Sequence, residues 1–127
     1  MMSPRLRLRN YLQHMILAID QIGAYTVGMG HDTFMRDART QDAVIRNLQV
    51  IGEAAQNIRR HHPDFVTANA EVPWRSAYGM RNAVTHGYFS IDMEQIWTTI
   101  EADLPPFAAR LTELLSLSPD ESSDKTD

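Results

Sequence analysis

There is no cysteine in the 127-residue chain, which excludes disulfide cross-links and thiolate metal ligands. No apolar run approaches the ~20 residues that a membrane-spanning helix needs. Pro4 and the alternating Arg5, Arg7 and Arg9 are not followed by a clean apolar stretch with a cleavage site, so no secretory leader is expected. Internal repeats, strand-like alternation and domain linkers are also missing. These absences predict a cytoplasmic protein without a membrane partner. One domain is expected at this length, long enough to bury a core.

Lysine is nearly absent as well. The only one is Lys125, so the cations of the body are all arginine. The formal net charge is -4, which argues against a generic nucleic-acid coat, because such binding rests on phosphate neutralisation. Asp120, Glu121, Asp124 and Asp127 against Lys125 place most of that excess in the last ten residues. The body is close to neutral, and a local RNA-binding cleft remains compatible with it.

What is present is helical periodicity. Leu8, Leu12, Met15, Ile16, Ile19 and Ile22 recur at three- and four-residue spacing and predict a first helix, started near Ser3-Pro4 and ended by Gly28 and Gly30. Asp32 is expected to cap a short turn through Phe34 and Met35. Thr40 is expected to cap a long helix with Val44, Leu48, Ile51, Ala55 and Ile58 as its buried stripe. Gly52 and Ala54-Ala55 would let another helix approach closely. Pro63 closes that helix after Arg59, Arg60, His61 and His62, and residues 64–72 read as an irregular loop.

A further helix should begin at Pro73 and carry Trp74, Ala77, Met80 and Val84 on its apolar side, through Val84 or Thr85. Trp74 reads as a core or interface anchor, and Tyr78 is ambiguous. Asp92 with Gln95 three residues later signals the start of the last helix. Ile96, Ile100, Leu104, Phe107, Leu111 and Leu114 continue it, and Pro105-Pro106 must kink or break it. The predicted fold is all-α: an up-and-down four-helix bundle over residues 1–117, with a disordered acidic tail over 118–127.

Chemistry concentrates in Arg81-Asn82-Ala83-Val84-Thr85-His86-Gly87-Tyr88. Arg81 and His86 are five residues apart, which separates them by about 140° on a regular helix. Either the helix ends before His86 and the chain turns it back, or the two side chains meet groups from elsewhere. A guanidinium suits bidentate contact with phosphate oxygens, and an imidazole near a helix C-terminus is suited to moving a proton near neutrality. Tyr88 adds a hydroxyl that can bond or accept a modifying group. The alternative reading is a capping histidine and a salt-bridged arginine. His61 and His62 are adjacent and point about 100° apart, so they chelate poorly. His14 and His31 lie in no ligand-spaced motif, and no metal site is expected. Glu53 reads as a surface or ion-paired residue, or else as support for the Arg81–His86 site.

The segment Arg81-Asn82-x-x-x-His86-x-Tyr88 resembles the R-x4-H-x-Y signature of the HEPN superfamily, in particular its HepT-like branch. Val72-Pro73-Trp74-Arg75, Gly79-Met80, Phe89-Ser90-Ile91-Asp92, Trp97 and Asp103-Leu104-Pro105 match its surroundings. Arg46-Asn47-Leu48 and Ile51-Gly52-Glu53-Ala54 resemble its second-helix pattern. The similarity runs from Leu8 to Leu115.

The resemblance implies a metal-independent endoribonuclease without cofactors, acting as the toxin of a type VII toxin–antitoxin pair. Its implied partners are a second copy, meeting through the signature region, and an MntA-like nucleotidyltransferase antitoxin. Arg81 would then hold the scissile phosphate, His86 move the proton and Asn82 orient one of these groups. Tyr88 aligns with the tyrosine that the antitoxin adenylylates. The other class of reading is a non-catalytic helical module that partners a nucleotidyltransferase and binds nucleotide or RNA.

Overall fold

The computed structural model describes residues 7–81 and 92–117. These residues form helices and connections, with no strand among them. In chain order they are α1 (Leu8–Thr26), α2 (His31–Met35), α3 (Ala38–His61), α4 (Pro63–Ala68), α5 (Trp74–Met80), α6 (Met93–Thr98), a π-helical turn (Thr99–Asp103) and α7 (Leu104–Leu117). The fold is the expected all-α bundle. The acidic residues 118–127 lie outside the described residues, as do Ser3 and Pro4.

The predicted apolar stripes face one another. Leu12, Met15 and Ile22 of α1 meet Val44, Leu48, Ile51, Ala55 and Ile58 of α3, all of them buried. Each fully buried Leu or Ile contributes roughly 1.5–3 kcal/mol relative to its exposed state. α1 also packs against α7 through the buried Leu104, Phe107, Leu111 and Leu114 side, while α3 carries α5. Arg9 ties the two ends together by donating from Nη1 to the Leu115 carbonyl (3.1 Å). Gly28, with φ of 78°, takes the left-handed conformation that turns the chain out of α1.

Helix starts differ from expectation at three places. α1 begins at Leu8 with Arg7, in extended conformation, as its N-cap rather than near Ser3-Pro4. The N-cap of α3 is Asp37 rather than Thr40: Oδ1 accepts from the Thr40 N–H (3.0 Å) and Oδ2 from its hydroxyl (2.8 Å). An aspartate three residues upstream therefore uses the threonine as its partner and starts the helix earlier. Asp32 does not cap α2 either. Gly30 occupies that position, and Asp32 lies in the first turn, bonded to the His31 ring. Residues 64–72 are not wholly irregular, because Pro63 opens α4 where its missing N–H costs nothing.

The last helix is interrupted at the expected place. Pro105 and Pro106 offer no N–H to the carbonyls of Glu101 and Ala102, and the turn just before them widens into the π form. Among the described residues, no helix is long and apolar enough to cross a membrane.

Candidate functional site

Pro73 is the N-cap of α5, and its carbonyl accepts from the Ala77 N–H (3.1 Å). Trp74 is buried as an anchor, stacked edge-on to Phe65 and donating from Nε1 to the Asn69 carbonyl (3.0 Å). This fixes the helix that ends at Arg81. Among the described residues α5 spans Trp74–Met80 with Arg81 as its C-cap, and the predicted continuation through Val84 or Thr85 lies outside them. The Arg81 N–H closes a tight turn onto the Tyr78 carbonyl (3.3 Å).

Arg81 is exposed and stands directly against α3. A Cβ built on Gly52 would approach the Arg81 Cα and Cβ to 2.8 Å, which no ordinary side-chain contact tolerates. The small residue predicted to admit a second helix thus admits the backbone of Arg81 itself. Glu53, the next residue, is exposed on α3. Asn82, His86 and Tyr88 lie outside the described residues, together with Val84 and Thr85.

Tyr78, ambiguous in sequence, proves to be part of the α3–α5 seam. The Arg59 guanidinium lies 4.4 Å above its ring centroid, and the Trp74 ring stacks beside it at 6.4 Å. Burial raises the Tyr78 pKa, opposed by the nearby Arg59 charge. Its hydroxyl is buried with no hydrogen-bond partner among the described residues.

The α2–α6 junction was also invisible in sequence. His31 Nδ1 contacts Asp32 Oδ1 at 2.8 Å, and Nε2 reaches both carboxylate oxygens of Glu94 at 2.9 Å. The hydrogen bond to Asp32, then that to Glu94, raises the histidine pKa and favours an imidazolium. This clip holds α2 to the first turn of α6, immediately after the signature segment, while Asp92 caps α6 by accepting from the Glu94 and Gln95 N–H groups (3.0 and 3.3 Å). Each ring nitrogen faces a different carboxylate, an arrangement for an ion-paired ring. The adjacent pair His61 and His62 packs around the Tyr11 ring instead, with centroids 6.4 and 6.1 Å away.

A hollow of about 650 Å³ opens between α5, α6 and α7, lined by Leu48, Ala77, Met80, Ile96 and Phe107. Its rim arginine, Arg110, is committed to Glu71 and Glu113, and that pairing holds the Glu71 carboxyl below its ordinary range. An arginine already paired with two carboxylates is a poor phosphate ligand.

Residues 15–114 match the family model described as ribonuclease HepT-like. The chain belongs to that family. It is 36% identical over 106 residues to "Probable ribonuclease HepT" of Thermococcus cleftensis, covering 84% of this chain and 94% of the relative. It is 33% identical over 112 residues to "Putative RNase MJ0127" of Methanocaldococcus jannaschii, covering 88% and 90%. No solved structure matches the chain significantly. In this HepT-like chain, Arg81 is the one signature residue among the described residues: an exposed arginine seated on a glycine of α3.

Proposed function

We propose that this protein is a metal-independent endoribonuclease, the toxin of a type VII toxin–antitoxin module. The reading is carried by one observation: an intact Arg81…His86-x-Tyr88 signature in a chain of the ribonuclease HepT-like family. The seat of Arg81 on Gly52 supports it, since the contact fixes the backbone from which an arginine suited to phosphate oxygens extends.

In this proposal two copies meet through the signature region and present Arg81 and His86 to one RNA strand. Arg81 binds the scissile phosphate and stabilises charge developing on its oxygens. The ribose 2′-oxygen attacks phosphorus as His86 takes its proton, the bond to the 5′-oxygen breaks, and that oxygen is protonated as it leaves. The products are a 2′,3′-cyclic phosphate and a 5′-hydroxyl. Asn82 orients one of the reacting groups by hydrogen bonding. An MntA-like nucleotidyltransferase neutralises the toxin by adenylylating Tyr88, which adds negative charge and bulk beside the cleft.

The test is RNA cleavage in excess chelator. Wild type cuts, whereas His86→Ala loses roughly 10²- to 10⁴-fold in rate, and Arg81→Ala falls comparably, while both keep the wild-type helical signal and sedimentation. Three proteins with the same background rate would sink the nuclease reading and leave a module that binds nucleotide or RNA without cutting it.

A further inference from the structure

The α3–α5 seam holds a second arginine in an unusual setting. The Arg59 guanidinium carbon lies 4.4 Å from the Tyr78 ring centroid, and its Nη2 donates to Gln56 Oε1 at 2.6 Å. The buried Trp74 ring stacks beside the tyrosine. The guanidinium is thus fixed by an aromatic face and one side-chain bond, while the residue remains exposed. A guanidinium carries five donors, and the bond to Gln56 uses one of them. No carboxylate among the described residues pairs with it, in contrast to Arg110, which bridges Glu71 and Glu113.

Position matters as much as setting. Gly52, Gln56 and Arg59 are spaced at i, i+4 and i+7 and share one face of α3. Tyr78 and Arg81 are spaced at i and i+3 and share one face of α5. Gly52 touches Arg81 and Arg59 covers Tyr78, so both arginines line the same seam. Arg59 stands about 10 Å of helix rise from the glycine that seats Arg81.

We propose that Arg59, held on Tyr78, binds an RNA phosphate flanking the one gripped at Arg81 and so sets the path and affinity of the strand. The inference rests on the ribonuclease reading and adds a substrate contact to it. A pre-ordered, unneutralised guanidinium suits phosphate oxygens. The tyrosine face is occupied by the cation, so a base cannot stack there, and the donors left on the exposed guanidinium are suited to the backbone phosphates instead. In a body whose other charges nearly cancel, local arginines of this kind must supply the phosphate neutralisation that binding requires.

The probe is a short single-stranded RNA with 2′-O-methyl riboses, which blocks the attacking oxygen and separates binding from cutting. Fluorescence anisotropy across a salt series is measured for wild type, Arg59→Ala, Arg59→Lys, Tyr78→Leu and Arg39→Ala, the last removing an exposed arginine from the far end of α3. Arg59→Ala should weaken binding roughly ten- to a hundredfold and lower the slope of log K against log salt by about 0.7. Arg59→Lys should keep the slope but recover only part of the affinity, because lysine is a point charge without the stacked plane. Tyr78→Leu should resemble Arg59→Lys, and Arg39→Ala should match wild type.

On cleavable RNA, Arg59→Ala should raise KM with little change in kcat, the reverse of Arg81→Ala. Unchanged affinity and slope in Arg59→Ala would overturn the proposal, and so would unchanged affinity with an altered oligomeric state, which would make the seam a protein contact. A wild type that binds the probe without cutting ordinary RNA ends the nuclease reading alone, since the Arg59 difference still reads in the binding assay. A wild type that binds no RNA ends both.

Discussion

Gly52 of α3 is pressed against the backbone of Arg81 at the end of α5, so closely that one added methyl would lie 2.8 Å from the Arg81 Cα. The glycine is buried, and the neighbouring atoms are backbone or Cβ, which cannot swing aside like the end of a flexible side chain. Arg81 therefore takes its place from a contact between two helices that are far apart in sequence.

The first prediction follows from that contact. Gly52→Ala should destabilise the protein by about 1–3 kcal/mol, as overpacking does, and should reduce RNA cleavage further by displacing Arg81. Gly23→Ala in α1 is the control, because its added methyl meets nothing within 4 Å. There the reduced backbone freedom of the unfolded chain should stabilise by roughly 0.4–1 kcal/mol. Thermal unfolding and single-turnover cleavage on both variants decide it. Equal behaviour of the two would show that the α3–α5 contact does not set the position of Arg81.

His31 predicts a pH dependence. Its folded pKa is raised by the carboxylates of Asp32 and then Glu94, so its contribution to stability is complete below the unfolded value of ~6.5 and disappears as pH rises through the folded pKa. The Asp32 pKa is lowered by the same contact, so that share is present above the ordinary carboxylate range and is lost as pH falls through the lowered value. The melting-temperature gap between wild type and His31→Gln should be largest from about pH 5 to 6.5 and should shrink above neutrality. A gap that grows towards alkaline pH contradicts the ion-paired clip.

Asp92 anchors the first turn of α6 through two backbone N–H groups. Asp92→Ala should cost ~1 kcal/mol, while Asp92→Asn, which keeps an accepting oxygen, should cost little. Chemical denaturation at neutral pH measures both. Because the cap follows the signature segment directly, Asp92→Ala should also lower cleavage more than its stability loss accounts for.

Tyr88 predicts a modification. Co-expression with a cognate nucleotidyltransferase should add the mass of one adenylyl group to wild type, and Tyr88→Phe should remain unmodified and active as a nuclease. Intact-mass and peptide spectra locate the group. Its appearance on another side chain would displace Tyr88 from the proposal.

The amino-acid order determined what is local or periodic. The Val44-to-Ile58 stripe, the Asp92 cap and the interruption near Pro105-Pro106 follow from residues within a turn or two of one another, where spacing alone decides which face is apolar and which N–H needs a partner. Tertiary structure decided which partner each face meets. Periodicity marked Gly52 as small without naming Arg81, left Tyr78 ambiguous until Arg59 covered it, and placed His31 in no motif because Glu94 lies 63 residues away. The same competition explains the misplaced cap of α3. Asp37 and Thr40 are both good capping residues, and the choice fell to the carboxylate that could accept from the threonine's N–H and hydroxyl together. A helical pattern specifies the direction in which a side chain leaves its own helix, and only packing brings a second helix to that place.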